Sequence, residues 1–187
     1  ASFNRELITR MGETLGEECQ AEGVGVILGP AVNIKRSPLC GRNFEYFSED
    51  PYLAGKMAAA YIQGVQKNGV AACVKHYALN NQELWRGHIN VELSDRALQE
   101  IYLPAFKAAV MQGHVWSIMG SYNKVRGQHA CHNELLLQRI LKKDWKFDGV
   151  VITDLTPTII AVNPAYTDIT GYSAEDALGC NPDRKST

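Results

Sequence analysis

The sequence predicts an α/β chain, part of a TIM-like (β/α) barrel with parallel strands. Three observations lead there. Short, continuously apolar runs alternate with amphipathic stretches of helical period. Polar side chains stand just past each of the last three apolar runs. No G-x-G-x-x-G follows any of them. Apolar strands alternating with amphipathic helices imply a parallel sheet covered by helices. The missing glycine fingerprint weakens a nucleotide-binding, doubly wound sheet and leaves the barrel as the better reading.

The elements follow in order. Leu7, Ile8, Met11, Leu15 and Cys19 recur at helical spacing, and Gly23 is placed to end that helix. Residues 24–28 form the first apolar run, closed by Gly29-Pro30. Asp50 and Pro51 supply a cap and a first-turn proline for a second helix, with Leu53, Met57, Tyr61, Ile62 and Val65 on its buried face. Asn68-Gly69 closes it, and residues 70–74 are the second strand. Ser94 caps a helix carrying Leu98, Ile101, Tyr102, Ala105 and Ala109, which Pro104 should kink or shorten. Residues 115–119 are the third strand. Asn133 starts a helix bearing Leu136, Leu137, Ile140 and Leu141, and residues 150–153 are the fourth strand. A full barrel needs eight such units and about 250 residues. Four units leave two open edges and an apolar inner face exposed to water, which invites self-association into a homo-oligomer.

Composition narrows the partners. The 187 residues are 45% hydrophobic and 21% charged, with a net charge of -1, which suits a globular domain. That balance gives no reason to expect nucleic acid, and no apolar run approaches the length of a membrane span. The five cysteines, Cys19, Cys40, Cys73, Cys131 and Cys180, show no C-x-x-C spacing, and most read as small buried hydrophobes. His129-Ala130-Cys131-His132 reads as a polar loop before a helix rather than a metal site, because no further ligands accompany it.

The chemistry gathers at strand ends. One run leads into Lys75-His76, the next into Ser121, Tyr122 and Asn123, and the last into Asp154. In a barrel the carboxyl ends of the strands converge on one face, so these groups would line one pocket. Taken singly, each has a plainer role. Asp154 would cap a turn, His76 would be a bonded core histidine, Tyr122 would pack, and Arg42 and Glu45 would form a surface ion pair of little weight. Their recurrence at one register favours a shared site.

Four ordered segments then resemble glycoside hydrolase family 3, the β-glucosidase and β-xylosidase family. They are Gly41-Arg42-Asn43-Phe44-Glu45-Tyr46-Phe47-Ser48-Glu49-Asp50-Pro51, Val74-Lys75-His76-Tyr77 with Asn80-Asn81-Gln82-Glu83, Met119-Gly120-Ser121-Tyr122-Asn123-Lys124-Val125, and Phe147-Asp148-Gly149-Val150-Val151-Ile152-Thr153-Asp154. The resemblance covers about residues 1–154. It implies hydrolysis of a terminal, non-reducing β-linked sugar of an oligosaccharide or β-glucoside, with retention. It implies Asp154 as nucleophile, and Arg42, Lys75, His76, Met119 and Tyr122 as substrate-binding residues. No metal or organic cofactor is implied. The resemblance also implies that the acid/base residue is absent from this chain: in the glucosidase branch it is a glutamate of a second domain, and Lys75-His76-Tyr77-Ala78-Leu79-Asn80 departs from the loop of the branch that uses a histidine. The resemblance therefore implies an enzyme fragment, inactive or weak by itself.

After Asp154 the pattern changes. Thr158-Ile159-Ile160-Ala161-Val162-Asn163-Pro164-Ala165-Tyr166 and Thr170-Gly171-Tyr172-Ser173-Ala174-Glu175-Asp176 resemble the first half of a PAS sensor domain, a short α+β segment over residues 155–187. Pro182 stands where light-sensing members place their reactive cysteine region, so flavin chemistry is not implied. This reading makes the chain a chimera joined near Ile152-Thr153-Asp154-Leu155. The alternative function is a non-catalytic PAS-like binding or dimerisation module carrying a barrel fragment.

Overall fold

The structure is a computed structural model, and it describes residues 3–153. Four parallel strands form one sheet: β1 (Val26–Ile27), β2 (Ala71–Tyr77), β4 (Ser117–Gly120) and β7 (Val150–Ile152). Their spatial order, β1-β2-β4-β7, follows the chain with no reversal. A doubly wound sheet reverses its order at a switch point, and none occurs among the described residues.

Helices α1 (Arg5–Ala21), α2 (Pro51–Gln66) and α4 (Pro104–Met111), with α5 (Leu135–Asp144), pack on one face. Ala72, Val74, Ile118 and Val151 point into that apolar core, and their strand neighbours Cys73, Lys75, Met119 and Ile152 do not. This is the period-2 alternation of a strand. The second face is less open than its composition suggests: Cys73, Ser117 and Met119 are all buried, which corrects the expected water-exposed inner face.

The caps agree with the residues that announce them. The Asp50 side chain accepts from Tyr52 N at 2.9 Å, with Pro51 in the first turn. Ser94 Oγ accepts from Ala97 N at 3.2 Å and starts a short helix, α3 (Asp95–Ala97). That helix widens into a π-helical turn at Leu98–Tyr102, where Leu103 N reaches back to Leu98 O at 3.0 Å. Pro104 then opens α4, so the proline divides one expected helix into two.

The face of α1 matches the expected stripe at Ile8, Leu15 and Cys19 and departs from it elsewhere. Leu7 and Met11 are exposed, whereas Ile8, Gly12 and Gly16 are buried. Glycine decides this contact. A Cβ on Gly12 would lie 3.1 Å from Gly64 Cα, and one on Gly64 would lie 3.0 Å from Gly12 Cα. With no side chains between them, α1 and α2 touch backbone to backbone.

A small second sheet, β3 (Asn90–Val91), β5 (Lys124–Val125) and β6 (Gln128–His129), was not legible from periodicity. Two residues per strand are too few to show alternation. Its hairpin turns at Arg126 and Gly127, both at positive φ, the conformation of the tight hairpin turns.

Candidate active site at the strand ends

The end of β2 carries the site. Up to Lys75 this strand pairs with the segment leading out of β1: Cys73 N donates to Gly29 O at 2.9 Å, Lys75 N to Pro30 O at 3.0 Å, and Val32 N to Lys75 O at 2.8 Å. Regularity then stops. The register with β4 shifts between Val74 and Tyr77, and the Lys75–His76 and Tyr77–Ala78 peptide bonds are cis. The side chain of Asn33, itself buried, takes over where the ladder ends. Its Nδ2 donates to His76 O at 2.9 Å and its Oδ1 accepts from His76 N at 2.8 Å.

Glu45 joins two predicted residues. Its Oε1 lies 2.5 Å from Arg42 Nε and its Oε2 lies 3.1 Å from Lys75 Nζ. The pair expected to be a slight surface contact is instead a partly buried triad. The side chains of Arg42, Glu45 and Lys75 keep 24%, 17% and 13% of their exposure, so solvent screens them less than a surface pair.

A second group stands beside it. Glu83 Oε2 pairs with Arg86 Nη1 at 2.7 Å, and Glu83 Oε1 accepts from Asn80 Nδ2 at 2.9 Å. The Arg86 guanidinium lies over the Tyr122 ring, 4.3 Å from its centroid. Tyr46 links the halves. Its hydroxyl donates to Asn80 O at 3.0 Å, and its ring meets His76 edge-on at 6.4 Å.

Electrostatics follow from this packing. Burial, then the neighbouring charges of Arg42, Lys75 and Arg86, push the His76 pKa down to about 3, so the ring is neutral near pH 7. Burial opposes the charge on Arg42, but Glu45 and Glu83 outweigh it and its pKa rises. Burial likewise raises the Tyr46 phenol.

The predicted residues thus fall into place unevenly. Arg42, Lys75 and His76 share one cluster, and Tyr122 joins it through Arg86. Met119 is buried on β4, between the register pairs Val74–Ile118 and Tyr77–Gly120, on the face turned away from the helical core. Asp154 and the PAS-like stretch lie outside the described residues. Asn33 and Arg86 were missed, and Glu83 stood in a family-like segment without a role. The Glu83–Arg86 spacing was a faint signal, and Asn33, a lone amide after an apolar run, gave none. His129 Nδ1 lies 3.2 Å from Tyr122 O and Cys131 Sγ donates to Ser121 O at 3.5 Å, so both support this loop. Among the described residues no group of three metal-ligating side chains occurs.

Comparison with known proteins agrees with the motifs. The profile of the glycosyl hydrolase family 3 N-terminal domain matches residues 1–175. A β-glucosidase of Bacteroides ovatus is 68% identical over 154 residues, 82% of this chain and 21% of its own. An exo-α-(1→6)-L-arabinopyranosidase of Bifidobacterium longum is 52% identical over 154 residues, again 82% of this chain and 20% of its own. The chain spans about a fifth of the length of these relatives. Among solved structures, β-glucosidase 3B of Thermotoga neapolitana in complex with α-D-glucose superposes with a TM-score of 0.82 at 43% identity, covering 92% of this chain and 26% of that one. These comparisons give the PAS-like reading of residues 155–187 no support, and the family profile runs well into that stretch.

Proposed function

We propose, from the premise that this chain belongs to the glycosyl hydrolase family 3 N-terminal domain, that its strand ends form the sugar-binding half of a retaining β-glucosidase site. The carrying observation is Glu45 holding Arg42 and Lys75 together beside a neutral His76. Lys75, Arg42 and Arg86 present donors to ring hydroxyls, and Tyr122 and Met119 form the wall. Asp154, two residues past β7, is the nucleophile in this reading. The sheet is a wall of a (β/α) barrel, as the unreversed strand order and single helical face suggest. In this reading the barrel segment, residues 1–154, ends with the last of the four motifs, which closes on Asp154.

A retaining enzyme needs a nucleophilic carboxylate and an acid/base carboxyl group about 5–5.5 Å apart. Glu45 and Glu83 are unsuited to the second role, since all four of their oxygens already hold a cation or an amide. In this reading the proton donor comes from outside the described residues. Without it, catalysis falls by roughly 10²–10⁴-fold.

Titration with D-glucose, followed by NMR of the full chain, tests the reading. Saturable binding that disappears in Lys75→Met is expected. Absence of binding, or binding indifferent to both Lys75→Met and Arg42→Met, would overturn it.

A further inference from the structure

We infer that Asn33 is a positioning residue, whose carboxamide fixes the aim of His76 toward the sugar. The inference rests on the sugar-site reading above, and it concerns how the histidine is held.

Functional histidines are ordinarily oriented through the ring nitrogen that faces away from the ligand, by a carboxylate or a carbonyl. His76 is not held that way. Its Nδ1 is buried and has no hydrogen-bond partner among the described residues. Among the described residues the charged neighbours of the ring are Arg42, Lys75 and Arg86, all cations, and none accepts a proton. The ring's edge-on contact with Tyr46 at 6.4 Å is apolar and leaves rotation about the backbone unspecified.

The constraint instead acts on the main chain. Asn33 grips both polar groups of the His76 backbone, at 2.8 and 2.9 Å, from 43 residues away in sequence. Only an amide supplies a donor and an acceptor side by side at that reach. The grip falls where the β1–β2 ladder gives out, one residue past the last ladder bond at Lys75 O. Asn33 is 2% exposed, so water does not compete for either bond. An unpaired buried backbone group is costly, and this keeps the clamp closed.

Asn33→Asp preserves shape and acceptor but removes the donor to His76 O. Its effect is read in three ways on the full chain: melting temperature, the ¹⁵N-labelled His76 ring signals, and D-glucose affinity. The control is Ser117→Ala, which deletes another buried side-chain bond on the same sheet, from Ser117 Oγ to Ala72 O at 3.0 Å. Asn33→Asp is expected to shift the His76 ring signals and weaken glucose binding about tenfold, while Ser117→Ala lowers only the melting temperature. Loss of melting temperature alone, with ring signals and affinity unchanged, overturns the inference. Should Asn33→Asp not fold, Asn33→Ser and hydrogen exchange of the native His76 amide decide: a protected amide is expected, and rapid exchange overturns the clamp. If the native chain binds no glucose, the sugar-site reading fails, and the ring signals and amide exchange still decide the clamp.

Discussion

At the α1–α2 crossing, two backbones meet through Gly12, Gly16 and Gly64, and the polar contacts stand at its end, where Asn68 Nδ2 donates to Glu13 O at 2.9 Å and Lys67 pairs with Glu13 at 2.8 Å. At the strand ends, by contrast, the chain meets itself through Arg42, Glu45, Lys75, Asn80, Glu83 and Arg86, each bonded to another by a charged or amide group. The first region is close backbone packing edged by the Lys67–Glu13 pair; the second is a partly buried cluster of charges. Shape complementarity therefore holds the helical wall, and pairing holds the strand ends. The two regions should fail differently when altered. Changes in the wall should cost stability, and changes at the tips should cost ligand affinity.

The sharpest way to break that contrast is Gly64→Val. Its side chain would meet the Thr9 carbonyl and Gly12 Cα, and backbone gives way less readily than a side chain. The expected loss is on the order of 5 kcal/mol, at the exceptional end for one substitution, visible as failure to melt cooperatively. Next comes Phe106→Ala. This fully buried ring packs edge-on against Tyr77 at 5.2 Å, and its loss should cost roughly 3–5 kcal/mol in urea denaturation.

Glu45→Gln sharpens the other side. It should weaken D-glucose binding about tenfold, about 1.4 kcal/mol, while lowering the melting temperature by only a few degrees. Calorimetric titration beside a thermal scan separates the two effects. A large melting shift with unchanged affinity would erase the distinction between wall and tip.

His76 adds a pH dependence. Its pKa is about 3 in the folded chain against 6.5 for the free side chain, so the unfolded chain binds the extra proton between those values. Its contribution to stability is complete above about pH 6.5 and is lost as pH falls toward 3. Urea midpoints measured from pH 7 to pH 4 should fall less steeply in His76→Gln than in the native chain. The smallest effect is expected at Arg96→Ala. Its ion pair with Glu100 is exposed and helical, worth about 0.3–0.5 kcal/mol, and should be nearly invisible in the same denaturation.

The strands and caps were legible because their signals are local. Asp50-Pro51, Ser94 and Pro104 act within a turn of their own position, and the strand cores are continuous apolar runs. The face of α1 was legible in part: Ile8, Leu15 and Cys19 of the expected stripe meet the core, but Leu7 and Met11 do not, because the closest contact is made by residues without side chains. Close approach depends on what the opposing helix offers, and Gly64 lies 52 positions from Gly12. At the site, Lys75, His76 and Tyr122 stood out by position after strands, and Arg42 by the family-like loop that carries it. Asn33 and Arg86 did not, since their importance arises from partners remote in sequence or from a ring brought over by another loop.

Glu45 grasps one cation with each oxygen, and this bears on the thermodynamics of an arriving ligand. Long basic side chains surrender about 2 kcal/mol of rotational freedom when immobilised. Here Arg42 and Lys75 relinquish much of it as the chain folds, before any guest is present. Such preorganisation removes a penalty that association would otherwise carry, so a neutral, heavily hydrated molecule meets donors already standing still.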